Sequence, residues 1–98
     1  MAIKNFKNKA TLDINYGKSS KEALRLLSKK LHRKAQIKLA RLSAAASMQD
    51  LQEIRENRFE MLKGDRKGQC SIRINDQYRI CFKWENDSAA DVEITDYH

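Results

Sequence analysis

Proline is absent from this chain of 98 residues, and the chain has three glycines and two cysteines. The glycines form no phosphate-binding loop, because Gly64 and Gly68 flank a predicted hairpin. Neither Cys70 nor Cys81 has a Cys or His partner at metal-ligand spacing, so we expect reduced packing thiols, no metal and no cofactor. No apolar run approaches the roughly 20 residues that span a bilayer, and the start lacks the apolar stretch of a signal peptide. We therefore expect one cytoplasmic domain over residues 1–98, with no membrane partner.

Acidic residues are scarce in the first half of the chain. Residues 1–50 carry 12 Lys or Arg and three Asp or Glu, a balance of +9, whereas residues 51–98 have a balance of −2. Such asymmetry suits a surface that faces nucleic acid, since each phosphate contact releases condensed counterions. On this interpretation Lys29, Arg33 and Lys34 are candidate RNA contacts. The alternative is a solvated helix face that keeps the protein soluble.

The apolar pattern changes its period near the middle of the chain. Ser19 with Glu22 predicts a helix-starting capping box, and Ser47 with Asp50 predicts another. Between them, apolar residues recur at steps of three and four, which predicts a core-facing helical stripe. The stripe consists of Leu24, Leu27, Leu31, Ala35, Leu39 and Leu42.

Runs of β-type composition fill the second half, at residues 58–63, 69–74, 78–84 and 90–97, and residues 3–6 are a further short candidate strand. The connectors are short and rich in turn residues, which predicts antiparallel hairpins. We therefore expect an α+β fold, with N-terminal helices packed on one face of a four- to five-stranded, mostly antiparallel sheet.

Alternation along these strands predicts an outer face that the helices leave open, and it carries Ser71, Arg73, Arg79, Cys81 and Lys83. Three further polar residues are expected at strand ends: Lys63, Tyr97 and His98. Cations and an imidazole suit phosphate-ester chemistry, where the cations neutralise developing charge and the imidazole moves a proton. In RNA the 2′-hydroxyl is already the nucleophile. The alternative is a set of solubilising edge residues with no common site.

Three ordered segments resemble the HigB-type toxins of the RelE/ParE superfamily: Asn57–Asp65 (NRFEMLKGD), Ser71–Ile80 (SIRINDQYRI) and Val92–His98 (VEITDYH). The resemblance implies a RelE-like fold and a metal-independent endoribonuclease that cuts mRNA in the ribosomal A site. Cleavage by 2′-hydroxyl attack would leave a 2′,3′-cyclic phosphate and a 5′-hydroxyl. It also implies a HigA-type antitoxin with a helix-turn-helix domain, in a hetero-oligomeric complex that binds operator DNA through the antitoxin.

The same resemblance implies roles for individual residues. Lys63 would contact the scissile phosphate and Arg79 would stabilise the transition-state charge. His98 would act as acid or base, Tyr97 would orient the mRNA, and Asp96 is the acid beside them. Arg73 is added as an RNA contact from its place on the outer face.

Glu60 departs from the family pattern, because many relatives have histidine at this position. A carboxylate at neutral pH can accept a proton but is a poor donor unless its pKa is well raised. Two other functions stay open. One is a ParE-like inhibitor of DNA gyrase, against which Lys63 and the final Tyr97-His98 argue, and the other is a non-catalytic RNA- or ribosome-binding module.

Overall fold

Helices occupy the first half of the computed structural model, which describes residues 2–96. The four α-helices are α1 (Lys9–Asn15), α2 (Lys21–Leu26), α3 (Lys29–Ala44) and α4 (Met48–Gln52). Short 3₁₀ helices follow at Arg55–Asn57 and Gly64–Arg66. Within residues 2–96, no helix combines the length and the apolar character that crossing a bilayer requires.

Serine caps begin two of these helices. The capping box of Ser47 and Asp50 is confirmed at the start of α4. The prediction of Ser19 as a cap is wrong by one position, because Ser20 Oγ accepts the N–H of Ala23 at 3.1 Å. The Ser19 hydroxyl is instead a partner of the Lys29 ammonium at the start of α3.

The strands form a single antiparallel meander in the order β1-β2-β3-β4, and the predicted α+β fold is confirmed. Their bounds are β1 (Glu60–Met61), β2 (Cys70–Arg73), β3 (Arg79–Glu85) and β4 (Ser88–Thr95). The first strand is far shorter than the predicted 58–63. Arg58 has a left-handed backbone (φ 44°) that ends the preceding 3₁₀ helix, so the strand begins only at Glu60. The predicted strand at residues 3–6 is reduced to two parallel bridges along β4, from Ile3 to Ala89 and from Phe6 to Val92.

The core lies between the helices and the inner face of the sheet. Its fully buried members include Leu27, Leu39 and Leu42 from the predicted helical stripe, with Ile72 and Phe82 from the strands. Leu24 was expected in the same stripe but is 45% exposed. The stripe is broken there because Leu27 is extended (φ −146°), so α2 and α3 are separate helices that do not share one axis.

The outer face is less open than predicted, because Ser71 and Cys81 are fully buried. These two residues lie opposite each other on β2 and β3, and Glu93 of β4 lies opposite Cys81. Arg66 Nη1 donates to Glu93 Oε1 at 2.9 Å, and Lys7 Nζ lies 3.4 Å from the same oxygen. Arg66 and Lys7 are close enough for their charges to act on the Cys81 thiol, and long cationic side chains of this kind can cover a surface with their methylene stems.

Candidate functional site

Two arginines lie opposite each other at one end of the sheet. Arg73 on β2 pairs with Arg79 on β3, and Thr95 on β4 is the next residue in the same row. Opposed residues share a face with Cβ atoms about 5 Å apart, and like charges in such pairs destabilise a sheet. A locally unfavourable arrangement, such as two directly opposed like charges, is typical of a functional site.

Each arginine is held by the turn between β2 and β3. Arg73 Nη2 donates to Asp76 Oδ1, and Arg79 Nη1 donates to the backbone carbonyls of Asn75 and Tyr78, the latter at 3.2 Å. Arg79 Nε is buried and has no hydrogen-bond acceptor in the part of the chain that the structure describes. A phosphate oxygen is a strong acceptor for such a donor.

Asp76 indicates how closely the positive charges gather here. Its exposed carboxylate has a lowered pKa, and the hydrogen bond from Arg73 is the largest cause. The charges of Arg73, Arg58 and Arg79 act in the same direction. Three guanidinium groups therefore act on a single anionic position at this end of the sheet.

The end of β4 reaches the same turn. Asp96 Oδ2 accepts a hydrogen bond from Gln77 Nε2 at 3.0 Å. Tyr97 and His98, which the sequence assigns to the site, lie outside the described residues. The structure thus brings Arg73, Arg79 and Asp96 to one end of the sheet.

Glu60 and Lys63 are more distant from this end. Glu60 lies opposite Ser71, two residues along β2 from Arg73, which separates the Cα atoms of Glu60 and Arg73 by about 8 Å at ordinary strand spacing. Lys63 follows the other end of β1, on the side of Glu60 that points away from Arg79. Both residues line a shallow cavity of about 350 Å³ that also includes Arg66.

Arg66 is a cation on the outer face that the sequence pattern did not predict. Its Nη1 donates to Glu93 and, at 3.1 Å, to Gln69 Oε1. Burial raises the pKa of the neighbouring Cys81 thiol to about 11, and the charge of Arg66 opposes this shift. The available signal was Glu93, whose alternation with the apolar Val92 and Ile94 places a carboxylate on the outer face, where a cation could pair with it.

The basic residues of α3 divide between two surroundings. Lys34 lines a cleft beside α3, whereas Lys29 contacts Ser19 and Arg33 is exposed. The cleft has a volume of about 490 Å³, and its cations are Lys34, Lys38, Arg41, Arg55, Arg58 and Arg73. Arg73 therefore belongs both to the cleft and to the arginine row of the sheet.

Residues 4–98 match the family model of the HigB-like toxins, described as RelE-like toxin of the type II toxin-antitoxin system HigB. The chain is also similar to Toxin HigB-1 of Vibrio cholerae serotype O1, with 53% identity over 47 residues. That match covers 48% of this chain and 50% of the relative, so it spans about half the length of each. The family match covers nearly the whole chain, and the predicted resemblance is confirmed. This chain belongs to the HigB-like toxins, the RelE-like toxins of type II toxin-antitoxin systems.

Proposed function

We propose that this protein is a toxin that inhibits translation and growth by cleaving mRNA in the ribosomal A site, as a metal-independent endoribonuclease. The observation that carries the proposal is the pair of opposed arginines, Arg73 and Arg79, with a buried Arg79 Nε that has no acceptor within residues 2–96. Membership of the HigB-like family supports it. A phosphate group would supply acceptors for both guanidinium groups.

Cleavage needs no nucleophile from the protein. The 2′-hydroxyl attacks the adjacent phosphorus and the bond from phosphorus to the 5′-oxygen breaks, which leaves a 2′,3′-cyclic phosphate and a 5′-hydroxyl. One group accepts the proton of the 2′-hydroxyl and another protonates the leaving oxygen. The candidates are His98 and Glu60, of which ionised Glu60 can only accept. Arg79 and Arg73 would stabilise the charge on the non-bridging oxygens.

Three further residues have positioning roles in this proposal. Tyr97 would orient the mRNA, and Asp96, next to the chain end, would help to place His98. Lys63 would contact the substrate away from the arginine row, because it follows the opposite end of β1. Substrate positioning of this kind lowers the barrier through orientation and not through chemistry.

The proposed partners are mRNA, the ribosome and a HigA-type antitoxin with a helix-turn-helix domain. The toxin and antitoxin would form a cytoplasmic hetero-oligomer that binds operator DNA through the antitoxin. Co-expression with the product of a neighbouring helix-turn-helix gene, followed by co-purification, tests this part.

Primer extension on translating ribosomes tests the enzyme. Arg79→Ala and His98→Ala should each abolish the cut while the thermal melting curve stays that of a folded protein. Lys83→Ala is the matched control, because Lys83 is an exposed cation on the same strand as Arg79 but belongs to neither the arginine row nor the cleft. If both site variants cleave as well as Lys83→Ala, the site assignment is wrong.

The same purified protein separates the other two functions. Inhibition of DNA supercoiling, with no cut in ribosome-bound mRNA, would indicate a gyrase inhibitor. Ribosome binding with a steep dependence on salt but no cleaved product would indicate a non-catalytic module.

A further inference from the structure

The basic cleft lies beside the arginine row, and of the cations that line it only Arg73 has a role in the proposed chemistry. It is enclosed by the second half of α3, the 3₁₀ segment Arg55–Asn57 and the end of β2. Six cations line it, and Glu56 is its single acidic residue. Such an excess of one charge sign in a concave surface concentrates oppositely charged ligands.

Lys38 is the most unusual of these cations. It is 5% exposed, and its ammonium makes no hydrogen bond or ion pair with the residues that the structure describes. Burial lowers its pKa, and the positive charge of Arg41 adds to the effect. The charge of Glu56 opposes this shift only in part, so an anion that enters the cleft would favour the charged form of Lys38.

Arg41 provides a second donor without an acceptor. Its Nη1 lies 3.8 Å from Glu56 Oε2, close enough for an ion pair but too far for a hydrogen bond. The atom itself is buried and has no acceptor within residues 2–96. Glu56 therefore leaves Arg41 with a buried donor that has no acceptor within residues 2–96, one helical turn from Lys38.

Arg58 is brought to the cleft by an unfavourable backbone. Its φ of 44° is in the left-handed region, which residues other than glycine rarely adopt. This conformation connects the 3₁₀ helix to β1 and leaves the Arg58 side chain on the cleft wall. Backbone strain of this kind is typical of binding and active sites.

We propose that the cleft binds the phosphodiester backbone of a single RNA strand, with Lys38 and Arg41 at one phosphate and Arg58 and Arg73 at another. The identity of the ligand rests on the proposed function. Arg73 favours RNA over an acidic peptide, because it lines the cleft and also pairs with Arg79 in the candidate active site. A strand held at the arginine row would therefore continue into the cleft.

Binding of a 2′-O-methyl RNA dodecamer, measured by fluorescence anisotropy, tests the proposal without cleavage. Lys38→Met should weaken binding about tenfold and reduce the slope of log K against log salt by about one. The matched control is Lys30→Met, which removes an exposed lysine from the same helix outside the cleft and should change binding less than threefold. If the two variants bind RNA equally, the proposal is wrong.

Two competitors distinguish the source of the anion. A poly-glutamate peptide that binds more tightly than RNA at equal salt, and loses that affinity in Lys38→Met, would overturn the assignment in favour of an acidic protein segment. Pyrophosphate that binds in the cleft while RNA binding is unaffected by Lys38→Met would overturn it in favour of a small anion. RNA that displaces pyrophosphate, with both weakened by Lys38→Met, supports the proposal.

Two variants separate this inference from the proposed function. Arg79→Ala should lose cleavage and retain most of the RNA affinity. The main effect of Lys38→Met should instead be a loss of RNA affinity. If Arg79→Ala still cleaves, the catalytic assignment fails while the cleft can still be judged by anisotropy. Arg58→Ala, a change at an exposed side chain, provides a second cleft variant and should also weaken binding if the inference is right.

Discussion

The buried contact between α1 and β4 allows a sharp test of how the end of the sheet is held. Thr11 is fully buried on α1, and its Oγ1 accepts the backbone N–H of Ile94 at 3.0 Å. The N-terminal segment already pairs with Ala89 and Val92 on this side of β4. Thr11 thus continues that pairing by one further position, two residues before Asp96.

Thr11→Val keeps the shape of the side chain and removes the acceptor. The buried Ile94 N–H would then be unsatisfied, which costs about 1–3 kcal/mol. A loss of about 2 kcal/mol lowers the melting temperature of a domain of this size by about 8–16 °C. The end of β4, which leads to Asp96, would also be held less firmly, so we expect slower mRNA cleavage below the melting transition.

Urea unfolding followed by the fluorescence of Trp84, together with amide hydrogen exchange, measures the effect. Thr11→Ser retains the acceptor and loses one methyl group, so it should be destabilised by about 1 kcal/mol while the Ile94 amide stays protected. In Thr11→Val that amide should exchange faster than its neighbours. Unchanged protection of the Ile94 amide in Thr11→Val would refute the reasoning.

Three other predictions follow from single contacts. In a Cys70→Ser background, Arg66→Ala should raise the rate of Cys81 modification by a thiol reagent, because the gain in access to the thiol outweighs the loss of a positive charge that favours the thiolate; an unchanged rate would show that Arg66 does not cover the thiol. Lys38→Met should be more stable than wild type at neutral pH, since it removes a positive charge whose loss of solvation outweighs its attraction to Glu56. Because the Lys38 pKa is lowered in the folded state, wild type gains stability as pH rises toward 10.5. The difference in the free energy of unfolding between Lys38→Met and wild type, measured by urea titration, should therefore shrink over that range. A difference that does not change with pH would contradict this prediction. Arg58→Gly should raise the free energy of unfolding by about 0.5–1 kcal/mol at a left-handed position, whereas Arg58→Ala should not; equal effects would argue against strain.

Local signals in the chain were sufficient to predict most of the fold. The Ser47–Asp50 capping box and the change from helical to strand periodicity depend on interactions over a few residues. Tertiary packing therefore does not alter what they predict. The exposure of Leu24 and the short β1 were not predicted. The exposure of Leu24 depends on the extended backbone of Leu27, which ends α2, and the late start of β1 depends on the left-handed backbone of Arg58.

The candidate site was predictable only in part. Alternation places Arg73 and Arg79 on one face, and both are there. Their direct opposition depends on the register of the β2–β3 hairpin, and the register of β1 on β2 places Lys63 away from them. Arg66 comes from a turn, where alternation carries no information.

The sequence by itself determined the α+β layout, the family and the inventory of cations that could contact phosphate. Only the tertiary structure decided which of those cations act together: Arg58, Arg73 and Arg79 around Asp76, and Lys38 buried beside Arg41. The physical reason is the difference in the distance along the chain over which these interactions act. Periodicity and capping are set by neighbours along the chain, whereas electrostatic coupling and burial depend on distances that strand register and helix packing alone establish.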